Sequence, residues 1–139
     1  MARTPFHDEV LTPEGLAFED DVEMVSARTT VGSIGILANH EPLLARLEPS
    51  ELRLYRSESD IVRFAAAEGY LQMADNRALV LVEEAIDPAS LNAGELSERV
   101  AAARHAMEAA PEGSEEAARA AADLRRAEAF LAIAGAGSR

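Results

Sequence analysis

The sequence contains no cysteine, no lysine and no tryptophan, and aromatic residues make up only 4% of its 139 positions. Without cysteine there are no disulfides, no thiolate nucleophiles and no zinc-thiolate sites. Because all 13 basic residues are arginine, the chain has no lysine for a Schiff base or for a phosphate-binding P-loop. Phosphate-loop ATPase activity is therefore excluded. Because aromatic residues are few, the core must consist largely of aliphatic side chains.

Long apolar runs are also absent. No stretch approaches the roughly 18 consecutive apolar residues of a membrane span, and no basic segment followed by an apolar one begins the chain. We therefore expect a soluble protein without direct membrane insertion. The formal net charge of −12 disfavours nucleic-acid binding, because it repels a phosphate backbone.

Charge and composition change together near Pro88. Residues 1–88 hold 17 acids and 7 arginines, whereas residues 89–139 hold 8 acids and 6 arginines. The first part is rich in β-branched and turn-forming residues, and the second contains the alanine runs 101–103 and 120–122. We therefore predict a β domain over residues 1–88 and a helical domain over residues 89–139.

Short apolar segments separated by turn formers fill the first part. Thr12-Pro13-Glu14-Gly15 is typical of a hairpin turn, and the alternation over 21–28 predicts one strand. Further strands are predicted at 52–55, 61–66, 70–73 and 78–83. Closely spaced strands with no helical pattern between them predict an antiparallel β-sandwich or flattened barrel.

From Leu96 the apolar residues recur with the period of a helix. The predicted buried stripe of the first helix is Leu96, Val100, Ala103, Met107 and Ala110. After Pro111-Glu112-Gly113, Ser114 is the predicted N-cap of a second helix, whose stripe is Ala117, Ala121, Leu124, Ala127 and Leu131. The short connection predicts an antiparallel two-helix hairpin. Because its packing face is mostly alanine, we expect a weakly held, detachable arm.

Segment 32–44 is the most distinctive part of the chain, because Gly32, Gly35, the pair Asn39-His40 and Pro42 together specify one backbone path. This segment resembles the corresponding region of the epsilon subunit of bacterial rotary (F-type) ATP synthases. Further matching pieces occur in the expected order at 11–15, 22–25, 51–54, 69–73 and 78–81. The resemblance extends from about Phe6 to Ala129.

The resemblance implies a noncatalytic subunit of the central stalk with no cofactor. The sandwich would contact the gamma subunit and the membrane rotor ring of c subunits, and so couple rotation to proton flow. The helical hairpin would contact the alpha and beta catalytic hexamer and inhibit ATP hydrolysis. The complex would lie at the cytoplasmic face of the bacterial plasma membrane, with this subunit peripheral. The implied ring or gamma interface comprises Gly32, Ser33, Ile34, Asn39, His40 and Pro42.

Two features of the helical part bear on regulation. Arg119, Arg125 and Arg126 are basic side chains that either form a solvated face or, by the resemblance, dock on an acidic surface of the catalytic subunits. The ATP-sensing motif of some epsilon subunits is degenerate here, at Leu91, Asn92 and Glu95, since Asn replaces Asp and Glu replaces Arg. An alternative register over 86–91 keeps the Asp but loses the Arg. We predict weak or absent ATP binding, because Glu95 would repel phosphate.

Other functions have less support in the sequence. His40 has no identifiable partner for general-base catalysis, and the histidines show no metal-ligand spacing, so we expect no catalytic residue and no metal site. Gly32 and Gly35 are better explained by turns than by a phosphate cradle. A stand-alone β-sandwich adaptor with a partner-binding hairpin stays open as the alternative, ahead of a small β-fold hydrolase.

Overall fold

The computed structural model describes residues 3–137 and divides into two units, one ending at Asp87 and one beginning at Pro88. Positions 1–2 and 138–139 of the two predicted domains lie outside the described residues. Within its described residues the first unit contains ten strands: β1 (Phe6–Thr12), β2 (Gly15–Val22), β3 (Met24–Thr29), β4 (Gly32–Ile36), β5 (Leu43–Leu47), β6 (Ser50–Tyr55), β7 (Ile61–Ala66), β8 (Gly69–Ala74), β9 (Arg77–Val82) and β10 (Ala85–Ile86). The second contains a short 3₁₀ turn, Pro88–Ser90, and the helices α1 (Ala93–Ala109) and α2 (Glu115–Gly137).

The prediction of one strand over 21–28 is wrong, because the strand is interrupted at Glu23. β2 ends at Val22 and β3 begins at Met24, while the Glu23 N–H donates to the Tyr55 carbonyl at 2.6 Å. Val22 and Val25 are both fully buried. In one continuous strand, residues three apart point to opposite faces, so the break is what allows both valines into the core.

The strands pair in the order β10-β7-β6-β3-β5-β8-β9-β1-β2, with β4 paired to β3. Pairing is antiparallel except between β1 and β9, which run parallel. One apolar cluster collects buried side chains from β1 through β9, including Val10, Leu54 and Val80. Because strands far apart in the order share this cluster, the sheet folds over on itself, and the predicted sandwich is confirmed.

The predicted helical hairpin is confirmed within the second unit. Asn92 caps α1, its side chain accepting from the Glu95 N–H at 3.0 Å. The predicted N-cap Ser114 likewise accepts from the Ala117 N–H at 3.1 Å. Arg99 Nε and one terminal guanidinium nitrogen contact Asp123 Oδ1 at 3.0 and 2.6 Å, which links the two helices. Among the described residues, no helix is long and apolar enough to cross a bilayer.

The predicted stripes are only partly correct. Leu96, Val100 and Ala103 are buried in α1, but Met107 is 37% exposed and Ala110 is the residue that ends the helix. In α2 the buried residues are Ala120, Ala127 and Phe130. In the predicted α2 stripe Ala127 is buried and the other four positions, Ala117, Ala121, Leu124 and Leu131, are half-buried, so the predicted face is correct. The prediction lacks Ala120 and Phe130, because a run of alanines gives little contrast between neighbouring positions.

Candidate functional site

The predicted interface segment forms a short strand followed by an exposed loop, residues 37–42, which we call the polar loop. Gly32 has φ +130° and Asn39 has φ +61°, both in the left-handed region that glycine and asparagine tolerate. Ser33, Asn39, His40 and Pro42 are exposed. Ile34 instead packs against the core cluster, so its side chain presents little surface to a partner.

Hydrogen bonds fix the polar loop in place. The Asn39 N–H donates to Asn76 Oδ1 at 2.7 Å, which connects the loop to the β8–β9 turn. The His40 N–H donates to the Leu37 carbonyl at 3.2 Å. His40 Nδ1 lies 2.8 Å from the Glu41 carbonyl, which can only accept, so this nitrogen carries the proton and Nε2 stays available to a partner. The loop thus presents a preorganised polar surface.

The outward face of β8, β9, β1 and β2 presents exposed apolar side chains. In register, Tyr70 pairs with Leu81, Leu81 with Leu11, and Leu11 with Leu16. Directly opposite residues lie on the same face of a sheet, so these four form one transverse row, which we call the apolar row. Tyr70 is 49% exposed, Leu81 44% and Leu16 55%. A contiguous apolar patch of this kind is typical of a protein-protein contact.

The same face becomes charged away from the apolar row. His7 Nε2 lies 3.0 Å from Glu19 and 3.3 Å from Glu9, and His7 Nδ1 lies 3.4 Å from Asp21. Desolvation opposes protonation of His7, yet its hydrogen bonds to Glu19, Asp21 and Glu9 raise the net pKa of the imidazole. A shallow depression of about 230 Å³ lies beside it, lined in part by Gln72, Arg77 and Leu79.

The His7, Glu9 and Glu19 ligand-type atoms all lie within 4.8 Å of one another. His7 Nε2 lies at ion-pair distances of 3.0 and 3.3 Å from the two carboxylates, and the raised pKa of the imidazole favours its protonated form, which offsets part of the carboxylate charge. We therefore assign these side chains to an ion-pair cluster and assign no metal to them. The expectation that the chain binds no metal stays a prediction.

The predicted inhibitory arginines differ in their surroundings. Arg119 is highly exposed and lies 3.7 Å from Glu115 one turn earlier in α2. Arg125 is exposed, and Arg126 is half-buried and already engaged by another group. Arg119 and Arg125 are therefore the side chains of the three that are presented to solvent.

The degenerate ATP-motif positions form the start of α1. The side chain of Asn92 is occupied as the helix cap, and Leu91 closes the preceding 3₁₀ turn through its N–H to the Pro88 carbonyl at 3.2 Å. Glu95 lies in the first turn of α1, where a negative charge is favoured by the helix dipole. All three residues thus have local structural roles, and Glu95 places a negative charge at the helix end that would otherwise attract phosphate.

Some residues of these surfaces were not identified from the sequence. The apolar row and Asn76 are absent from the predicted interface, although β9 carries a detectable signal. Residues 78–82 are apolar at every position, and such a run is typical of a strand that is covered on both faces.

Comparison with known proteins is consistent across sequence and structure. The family model "ATP synthase, Delta/Epsilon chain, beta-sandwich domain" matches residues 5–88. The ATP synthase epsilon chain of Rubrobacter xylanophilus is 30% identical over 118 residues, which cover 85% of this chain and 76% of that protein. The epsilon chain of Persephonella marina is 40% identical over 77 residues, which cover 55% of this chain and 57% of that one. This second match therefore spans little more than half of each protein.

Two solved assemblies contain chains of similar fold. One belongs to the mitochondrial ATP synthase of Euglena gracilis, in an OSCP/F1/c-ring structure, with a TM-score of 0.75 at 18% identity over 90% of this chain and 78% of the matched chain. The other belongs to the central stalk and c-ring of the Tetrahymena thermophila mitochondrial enzyme, with a TM-score of 0.60 at 17% identity over 100% of both chains. At these identities the likeness concerns the fold.

Proposed function

The chain belongs to the ATP synthase delta/epsilon chain family, and from this premise we propose that it is the noncatalytic epsilon-type subunit in the central stalk of a bacterial ATP synthase. The observation that carries the proposal is the exposed apolar row on a regular sheet face, because solvent-exposed apolar side chains do not stabilise an isolated sandwich but are typical of a protein-protein contact. Family membership favours this rotor role over the stand-alone adaptor and the small hydrolase.

The apolar row is the proposed contact with the gamma subunit. Its side chains stand on hydrogen-bonded strands, so little conformational entropy is lost when a partner covers them. Leu81 lies between Tyr70 and Leu11 in the row, and central apolar residues dominate most interfaces. Because residues 1–88 carry a formal charge of −10, the gamma surface beside the row is expected to be basic, and association should be faster at low salt.

The polar loop is the proposed contact with the ring of c subunits. Ser33, Asn39 and His40 offer hydrogen-bonding groups on a fixed backbone, which suits the polar loops of a rotor ring better than the apolar row does. The protein would then bind the gamma subunit with the apolar row and the ring of c subunits with the polar loop, and transmit torque between them. Its proposed location is the cytoplasmic side of the membrane, as a peripheral subunit.

The helical hairpin is the proposed inhibitor of ATP hydrolysis. Arg119 and Arg125 are exposed and would pair with acidic side chains of the alpha and beta subunits. Arg126 belongs to the same proposed contact only if its present partner is exchanged. The altered motif at Leu91, Asn92 and Glu95 makes ATP an unsuitable trigger for the change.

Binding of the purified chain to its gamma subunit tests the proposal. Leu81→Arg should weaken the complex at least roughly 30-fold, since a charge would be buried at the centre of an apolar contact. Val31→Arg is the matched control, because Val31 is 95% exposed in the β3–β4 turn and lies outside the apolar row. Equal affinity of the two variants would refute the assignment of the row, and absence of any gamma binding by the parent chain would refute the stalk function.

A further inference from the structure

Asp8 is a carboxylic acid inside the sandwich. It lies on β1 between two core residues, Phe6 and Val10, and its side chain is 0% exposed. Neither carboxylate oxygen has a hydrogen-bond partner among the described residues. An ionised carboxylate is strongly disfavoured in such a site, because it loses its hydration and no side-chain hydrogen bond replaces it.

The neighbouring charges compensate Asp8 only in part, through His7. On β1 itself, His7 and Glu9 point to the outer face, where they contact each other. On β2, Asp20 is the residue opposite Asp8, and its side chain is exposed, so β2 brings no cation to Asp8. Asp20 is in turn 3.4 Å from Arg56, at the exposed border of the sheet.

The remaining partners of β1 add no cation to the interior. On β9 the residue opposite Asp8 is Ala78, and Arg77 pairs with His7 on the outer face. Arg56 also contacts Asp60 at 3.3 Å, so its charge is shared between two exposed carboxylates. The core cluster over which Asp8 lies is built from apolar side chains. The neutral, protonated form of Asp8 is therefore the one that fits the folded sandwich.

We infer that Asp8 is a proton-binding site inside the sandwich, and that loss of its proton loosens the pairing of β1 with the terminal strand β2. β2 ends the strand order and pairs with β1 alone among the described strands. Parting of β2 is consequently the shortest route by which water can reach an ionised Asp8. Core strands on the other side of Asp8, such as β9, are held by a second neighbour, β8.

Burial raises the pKa of the Asp8 carboxyl from 3.8 to about 7, with the nearby Glu9 adding to the effect and His7 opposing it. Between these two values Asp8 is protonated in the folded protein and ionised in the unfolded chain. Unfolding then releases a proton, so stability falls as pH rises from about 3.8 to about 7 and levels off above. From pH 5 to pH 8 this linkage raises the unfolding equilibrium constant roughly 100-fold.

Asp8→Asn removes the ionisation, and Asp20→Asn is the matched control on the opposite strand. The unfolding equilibrium constant of each full-length protein is measured by denaturant titration at pH 5 and pH 8. We expect the parent and Asp20→Asn to show the roughly 100-fold additional rise with pH relative to Asp8→Asn. The same pH dependence in all three proteins would overturn the inference.

Two spectroscopic measurements test the site directly. The ¹³C-carboxyl NMR signal of Asp8 should titrate near pH 7. Amide hydrogen exchange of β2, corrected for its intrinsic pH dependence, should accelerate from pH 6 to pH 8 more in the parent than in Asp8→Asn, which keeps the contacts of His7 with Glu19 and Asp21. A carboxyl that titrates near pH 4, or equal acceleration of β2 in the two proteins, would contradict the inference.

A functional consequence rests on the proposed stalk role, because β2 carries Leu16 of the apolar row. Gamma binding by the parent chain should then weaken from pH 6 to pH 8, and the binding by Asp8→Asn should change less. If the NMR titration succeeds but gamma does not bind, the proposed function fails and the proton site stands.

Discussion

Gly69 is the position at which the addition of one methyl group should disrupt the sandwich most. A Cβ built on Gly69 would lie 1.9 Å from the Leu81 carbonyl oxygen and 2.8 Å from the Leu81 carbonyl carbon and Val82 Cα. All three atoms belong to the backbone of β9, so no side-chain rotation relieves the overlap. Gly69→Ala therefore requires that β8 and β9 separate by at least about 1 Å where they pair.

The energetic effect follows from the pairing that would be lost. Overpacking that moves backbone destabilises by about 1–3 kcal/mol, and the neighbouring hydrogen bond from the Glu83 N–H to the Glu68 carbonyl, 3.2 Å long, would weaken as well. We expect a loss of about 3 kcal/mol in the free energy of unfolding. For a unit of this size, thermal unfolding should then occur roughly 12–24 °C lower. The NMR amide signals of the strand residues in the full chain, recorded as a function of temperature, follow the sheet separately from the helices.

Gly35→Ala is the matched control for this substitution. Gly35 also lies in a strand, and its added Cβ would meet only Met24 Sδ, at 3.5 Å, which is an ordinary contact. Both substitutions restrict the unfolded chain equally, so their difference isolates the steric effect in the folded state. If Gly69→Ala melts within about 3 °C of Gly35→Ala, the close approach of β8 and β9 described above is wrong.

Two further predictions concern the helical unit. In the assembled synthase, the double variant Arg119→Ala with Arg125→Ala should relieve inhibition of ATP hydrolysis several-fold, because charge-assisted contacts to the catalytic subunits are lost. The control is Arg104→Ala, which removes an exposed arginine of α1. Unchanged inhibition in the double variant would count against the proposed contact. Calorimetry of the purified chain with ATP should detect no binding at micromolar concentrations, because the side chain of Asn92 is occupied as the cap of α1 and Glu95 repels phosphate. A measured micromolar affinity for ATP would overturn this prediction.

The strands were predictable because short apolar segments are separated by turn-forming residues along the sequence. β7 has the predicted bounds, Ile61–Ala66, and β9 differs from its prediction by one residue at each end. The break at Glu23 could not be predicted, since the pattern on either side also fits one longer strand. The parallel pairing of β1 with β9 likewise could not be predicted from either segment alone, because the two segments lie some 70 residues apart in the sequence.

The candidate surfaces divide in the same way. The backbone path of segment 32–44, which contains the polar loop, was predictable, since Gly32, Asn39 and Pro42 restrict it within a few residues. The apolar row was not, because its four residues come from four strands and only the register brings them together. Asp8 occupies a position that the alternation of β1 assigns to the core, so its burial was readable in principle. That its carboxylate has no hydrogen-bond partner among the described residues depends on β2 and β9, so this could not be predicted from β1 alone.

Each helix of the helical unit has stabilising contacts of its own. Asn92 and Ser114 cap the two helices locally, and alanine favours helix without any tertiary contact. Between the helices, the ion pair of Arg99 with Asp123 is partly exposed and contributes about 1 kcal/mol at most. Few large side chains are buried in this unit, with Phe130 the largest among the described residues. If the hairpin exchanges partners as proposed above, its helices would keep these local contacts in either position.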